Sequence, residues 1–265
     1  MGLYKNLGIR KIALELIELI NWIRLFQFKK GYRIFTSLKK KNKEIVVEIF
    51  QDKKIYLRNN YSDSAIFKQV FLEQQYYLYH FPLKVAFKII DAGANIGLAA
   101  IYFSELFPKA EIISIEPEQE NYIQLQKNLY SYTNIYCEQA AIWGENKTVS
   151  IANPDSLSAS FMVSENNNIS LNGNTIPAFS IPSLMQKYNW QELDIVKMDI
   201  EGAEKAVFSD NKAFKWLSKT KLLIIELHDN YQPDCSKTFF KALESFDYEA
   251  IYHNENIFIH FKHSD

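Results

Sequence analysis

The chain reads as an α/β fold, a parallel sheet covered by helices on both faces, with an N-terminal helical and β-hairpin extension. Three observations predict this. From residue 85 onward, short apolar β-like runs alternate with helical segments, as in βαβ units. The runs VAFKIID, AEIISIE, LDIVKMD and KLLIIEL are apolar at successive positions, as strands buried on both faces are. A length of 265 residues, 48% hydrophobic and 23% charged, is enough for a full core and excludes wholesale disorder. The organisation expected is residues 1–80 as helix, hairpin and helical cap, and 81–265 as a ligand-binding domain.

The first segment, IRKIALELIELINWIRLFQF, is interrupted by Lys11, Glu15, Glu18 and Arg24. It therefore lacks the run of about 18 apolar residues that a membrane span needs. Its acids and the lack of a small-residue cleavage site also argue against a secretory signal. Ile12, Leu16, Leu19, Ile20 and Ile23 recur at helical spacing, which predicts an amphipathic helix. A basic stretch, KKGYRIFTSLKKKNK, follows. Two readings stand: a helix packed on its own domain or on a second copy, followed by a solvated loop, or peripheral attachment to an anionic membrane or other polyanion.

EIVVEIF and KIYLR, parted by Gln51, Asp52 and Lys53, predict a hairpin. SAIFKQVFLEQQYYLY predicts a helix over 64–79, with Phe67, Phe71 and Tyr76 as core. Then come strand VAFKIID, helix IGLAAIYFSELF, strand AEIISIE, helix QENYIQLQKNLY and strand TNIYCEQAAI with its exit loop. LDIVKMD is a fourth strand, with a helix after Gly202, and KLLIIEL a fifth. CSKTFFKALESF is a helix, and YEAIYHNENIFIHF closes the chain as a strand pair around Asn254. Residues 153–174, rich in Asn and Ser, read as a loop insertion.

With 30 Lys and Arg against 31 Asp and Glu, phosphate electrostatics do not favour a nucleic-acid partner. Two cysteines, Cys137 and Cys235, fit a reducing compartment, and the expected location is cytoplasmic.

The informative element is IIDAGANIGLAAIYF. A buried strand ends at Asp91, Gly93 and Gly97 flank a sharp turn, and a helix begins. Gly93 suits close passage of a ligand, and Gly97 suits close packing of helix and strand. A dinucleotide pyrophosphate would be repelled by the Asp91 carboxylate, whereas an amino acid's ammonium would be held. Glu116 closes the next strand 25 positions after Asp91, near the spacing at which an acid reaches a ribose diol. Together these describe a nucleoside carrying an amino-acid tail, S-adenosylmethionine.

Five ordered blocks, LRNNYSDSAIFKQVF, IIDAGANIGLAAIYF, IEPEQENYIQLQKN, LDIVKMDIEGAE and IIELH, resemble the FkbM-type methyltransferases over roughly residues 55–228. The resemblance implies a Rossmann-like seven-stranded methyltransferase sheet with one antiparallel strand near the C-terminus. It implies O-methylation of sugars or natural products with S-adenosylmethionine as methyl donor. Carried over, Asp91, Gly93, Ala94, Asn95 and Gly97 surround the methionine end, and Glu116 with Pro117 holds the ribose. Asn121, Gln139 and Ala140 neighbour the adenosine, Asp199 borders the cofactor, and Asp63 and Gln69 belong to the upstream block.

Glu226 and His228 are two apart and share a strand face. In the family's sheet order the fourth and fifth strands are neighbours, so Asp199, Glu226 and His228 converge. A sugar hydroxyl is a poor nucleophile, so transfer benefits from a base or a cation. The expected arrangement is Mg²⁺ or Mn²⁺ held by Asp199 and Glu226, with His228 as third ligand or as base. Glu201 and Glu204 in DIEGAE are expected in the first turn of a helix, with Glu201 a candidate at the acceptor. The expected reaction is methyl transfer to a sugar hydroxyl in glycan or polysaccharide decoration. The alternatives are a polyketide or lipid hydroxyl, an amine acceptor, or a non-catalytic cofactor-binding module.

Overall fold

The computed structural model describes residues 2–50, 53–59, 61–78, 81, 83–151, 163–164, 175–209 and 212–262. Most of the segment read as a loop insertion, together with His80 and His263, lies outside the described residues. The chain forms two compact units, Met1–Gln74 and Gln75–Asp265.

In the first unit, α1 (Gly2–Phe26) and α2 (Phe28–Leu38) meet at Gln27, whose φ of 64° breaks the helix. The basic stretch expected as a loop is therefore mostly helical: α2 carries Lys29, Lys30 and Arg33, and Thr36 returns its hydroxyl to the Tyr32 carbonyl. Gly31 makes the crossing possible, because a Cβ there would stand 2.4 Å from the Trp22 carbonyl oxygen. The strands β1 (Glu44–Val47) and β2 (Ile55–Arg58) pair antiparallel as the expected hairpin. α3 (Tyr61–Phe71) ends well before residue 79, and Leu72 and Glu73 close it by donating to the Lys68 carbonyl. Trp22, Ile34, Ile45, Val47, Leu57, Phe67 and Phe71 form the buried core.

The second unit is built on a seven-stranded sheet. Its strands are β3 (Lys88–Ala92), β4 (Glu111–Ile115), β5 (Ile135–Glu138), β10 (Leu193–Met198), β11 (Thr220–Glu226), β12 (Tyr248–His253) and β13 (Asn256–Phe261). The order is β12-β13-β11-β10-β3-β4-β5, parallel except for the closing hairpin, where β13 lies antiparallel to β11. Every residue of β10 is buried, so both faces of the sheet are covered. The hairpin turns at Asn254, with φ 53°. The helices are α4 (Leu98–Leu106), α5 (Gln119–Leu129), α6 (Ile181–Lys187), α7 (Glu204–Phe208), α8 (Lys212–Leu217) and α9 (Cys235–Leu243).

One feature was not anticipated. β6 (Ala141–Ile142), β7 (Lys147–Ile151), β8 (Val163–Ser164) and β9 (Thr175–Phe179) form a second, four-stranded sheet in the order β6-β9-β7-β8. KTVSI and TIPAF do alternate, but they are short and flank the Asn/Ser-rich segment. Among the described residues no helix is long and apolar enough to cross a membrane.

Candidate active site

The carboxyl ends of β3, β4, β10 and β11 lie side by side, and the sequence motifs end there. The first group is built mainly from backbone. Asp91, fully buried on β3, has no hydrogen-bond partner for either oxygen among the described residues; the Lys197 ammonium stands 3.5 Å away. Burial raises the Asp91 pKa, and Lys197 opposes the rise. After it, Gly93 (φ 72°), Asn95 (φ 50°) and Gly97 (φ 85°) take left-handed conformations. A Cβ on Gly93 would lie 1.7 Å from the Asp199 carbonyl oxygen. Gly93 is thus required by the end of β10, whatever a ligand also asks of it. Gly97 admits the Leu129 side chain of α5, so it serves helix–helix rather than helix–strand packing.

The turn is tied to β4. Gly93 and Ala94 both donate to the Ile115 carbonyl, and Asn95 N–H donates to Glu116 Oε2 at 2.8 Å. Glu116 Oε1 accepts from Glu118 N–H at 3.0 Å, across Pro117. Burial pushes the Glu116 carboxyl up to about 7, although these donors and Asn121 pull it down. Asn121 is buried at the start of α5, where Glu118 caps its N–H. Gln139 bonds to Gln119, and Ala140 is buried beside it.

The second group is built from side chains. β10 and β11 pair in parallel with Met198 opposite Ile225, so Asp199 and Glu226 leave adjacent strands at the same level. Asp199, Glu226 and His228 each offer a ligand atom, all within 4.8 Å of one another. His228 Nε2 faces Asp199 at 3.7 Å, Glu201 at 3.4 Å and Glu226 at 3.4 Å. Its Nδ1 lies 3.0 Å from Glu204 Oε1. Burial alone would lower the His228 pKa, but Glu204, Glu226 and Asp199 together push it up to about 11. Burial and Asp199 raise Glu201 to about 8.

Two residues of this group carry more than the sequence suggested. Glu204 is fully buried, and besides His228 it accepts the N–H groups of Ile200 at 3.0 Å and Gly202 at 2.8 Å. The left-handed pair Glu201 (φ 54°) and Gly202 (φ 97°) bends the backbone so that both donors reach one carboxylate. Glu201 therefore sits in the turn before α7, not in its first helical turn. Cys235 donates its thiol to Glu204 at 3.7 Å and stays protonated, because burial pushes its pKa up to about 12.

Lys197 was missed. It is buried mid-strand in β10, donates to the Gly93 carbonyl at 2.8 Å and lies between Asp91 and Asp199 at 3.5 and 3.8 Å. Burial disfavours its charge, but Tyr76, Asp91 and Asp199 outweigh burial and its pKa is raised. A lysine inside LDIVKMD is costly to bury unpaired, so the signal was present.

In the first unit, Asp63 is committed to Arg58, accepting from its N–H, Nε and Nη2 at 2.7, 3.0 and 2.8 Å; Gln69 is half-buried on α3. Tyr76 is buried against Phe103. His260 stacks on Phe81, the Trp143 ring carries Lys147, and Tyr188 donates to Glu138.

Residues 91–252 match the Methyltransferase FkbM domain. Among curated proteins, Methyltransferase sdnD of Sordaria araneosa is 38% identical over 64 residues, 24% of each chain. Methyltransferase 1 of Beauveria bassiana (strain ARSEF 2860) is 27% identical over 88 residues, 32% of this chain and 34% of that one. The matched stretch thus spans about a quarter to a third of these relatives. The crystal structure of a methyltransferase FkbM from Methylobacillus flagellatus KT aligns with a TM-score of 0.52 at 15% identity, covering 77% of this chain and 56% of that one, a likeness of fold. The chain belongs to the FkbM methyltransferase family.

Proposed function

We propose that this member of the FkbM family is an S-adenosylmethionine-dependent O-methyltransferase acting on a sugar hydroxyl, assisted by a divalent cation. The observation that carries the reading is the convergence of Asp199, Glu226 and His228 next to the turn that follows Asp91.

The residues fit both groups. Asp91 offers two unsatisfied buried carboxylate oxygens to an ammonium, and Glu116 offers oxygens to a ribose diol. Two carboxylates and an imidazole are a donor set for Mn²⁺ or Mg²⁺, the nitrogen favouring Mn²⁺. Glu204 at Nδ1 fixes the ring and leaves Nε2 facing the carboxylates, the partner arrangement usual behind a ligating histidine.

A bound cation supplies Lewis acidity that lowers the pKa of the acceptor hydroxyl. Glu201, beside the same cluster, takes the hydroxyl proton. The acceptor oxygen forms its bond to the methyl carbon as the carbon–sulfur bond breaks. That electron pair returns to sulfur, leaving S-adenosylhomocysteine. Lys197 and the Gly93 turn hold Asp91 and Asp199 in register, and so would hold the methyl donor's amino-acid end close to the acceptor side.

The test is release of S-adenosylhomocysteine over a panel of nitrophenyl glycosides, with Mn²⁺ or Mg²⁺ and with EDTA. Turnover that EDTA stops and Mn²⁺ restores supports the whole reading. Turnover indifferent to EDTA removes the cation. Cofactor binding without turnover moves the acceptor to a larger glycan or a natural product, and absence of cofactor binding sinks methyl transfer itself.

A further inference from the structure

The amphipathic helix at the N-terminus turns most of its apolar stripe outward. Trp22 of α1 is buried, and on the same side Glu18 turns inward to Lys68 at 2.9 Å while the half-exposed Glu15 pairs with Lys39 at 3.3 Å. The opposite face carries Ile9, Ile12, Leu16, Ile17 and Ile20, all more than half exposed, with Ile12 at 69%. Of the residues whose spacing predicts the amphipathic stripe, Ile12, Leu16 and Ile20 thus lie outside, and Leu19 and Ile23 are half-buried. Phe28 and Tyr32 at the start of α2 stack on each other and add exposed aromatic surface. A continuous outward apolar stripe on a 25-residue helix is not ordinary surface.

The charge of this segment is equally one-sided. Residues 1–43 hold eleven Lys and Arg against two Glu, whereas residues 44–265 hold nineteen against twenty-nine acids. The near-neutral chain is therefore a strongly basic N-terminal segment joined to an acidic remainder. Two copies meeting through α1 would bring two such basic segments together, at a repulsive cost. A surface of negative charge with an apolar interior meets both features at once.

We propose that the outer face of α1, with the lysines that follow it, docks this protein on a bilayer surface containing anionic lipid. Ile12, Leu16 and Ile20 enter the acyl boundary. Lys29, Lys30, Lys40, Lys41 and Lys43 supply the electrostatic attraction, and Phe28 and Tyr32 sit at headgroup level.

Co-sedimentation of the full chain with vesicles tests this, using phosphatidylcholine alone and phosphatidylcholine mixed with phosphatidylserine. Binding to the mixed vesicles is expected to be about ten-fold or more tighter than to neutral ones and to weaken in high salt. The triple variant Ile12→Asn, Leu16→Asn, Ile20→Asn is expected to lose about ten-fold or more of that binding. It should keep its circular dichroism and melting temperature, because these side chains are already in water. Equal binding to both vesicle types, or none, overturns the proposal. Light scattering that finds a dimer dissociated by the triple variant, with no vesicle binding, gives the face to a second copy instead.

Discussion

The two ends of the candidate site are built on opposite plans. At β3 and β4 the acid Glu116 is met by backbone N–H groups of Asn95 and Glu118, and left-handed residues shape the turn. At β10 and β11 four carboxylates gather around one imidazole, three of them facing Nε2. The first end has its donors in place before any ligand arrives. The second concentrates negative charge that draws a proton or a cation. On the proposed function, binding and chemistry are thus separated: one is preorganised by backbone, the other loaded by side-chain electrostatics.

That separation breaks first at His228. His228→Ala is expected to lower methyl transfer by about 10²–10⁴-fold while S-adenosylmethionine affinity changes only a few-fold. Calorimetry of cofactor binding beside initial rates reads both; a comparable loss in affinity would mean the two ends are one unit.

Lys197 joins the ends, so its loss should damage both. Lys197→Met leaves Asp91 buried without a counter-charge and is expected to destabilise the fold by about 3–5 kcal/mol. Denaturant unfolding measures this, and a change under about 1 kcal/mol would show that the ammonium is dispensable.

Glu204→Gln sharpens the comparison within the second end. Removing the charge behind Nδ1 should cost about 10–100-fold in activity and in Mn²⁺ affinity, with cofactor affinity kept. Activity falling with unchanged Mn²⁺ affinity would assign Glu204 to the turn alone.

The last effect is the pH response of the first end without ligand. Glu116 has a folded pKa of about 7, above its ordinary 4.5, so the native state holds a proton that the unfolded chain has released. The resulting stabilisation is complete below about pH 4.5 and is lost as pH rises through 7, at no more than about 1.4 kcal/mol per pH unit. Asp91 shifts in the same direction. Melting temperature should therefore fall from pH 5 to pH 8, and a rise over that window would contradict the burial of these acids.

Much of this site was legible because its residues sit at fixed offsets within single segments. Asp91, Gly93 and Gly97 span one turn, and IIELH puts Glu226 and His228 on one face whatever the rest of the fold does. Glu204 and Lys197 were within reach by the argument applied to Glu226, that a charge in an apolar run must have a partner. The direction of the α1 stripe was not: a helical stripe fixes which residues share a face, but not which way that face points. The second sheet was also hidden, since β6 and β9 pair across 32 intervening residues of weak pattern.

The sequence by itself determined the alternation of strands and helices, the glycine turn and the identity of the acids, because periodicity and backbone permissiveness are local properties. The tertiary structure decided that β10 lies between β3 and β11, that Gly93 yields to the Asp199 carbonyl, and that one imidazole meets four carboxylates. Those follow from strand order and register, which place residues more than a hundred positions apart within a few ångströms, and short-range pattern does not specify such distances.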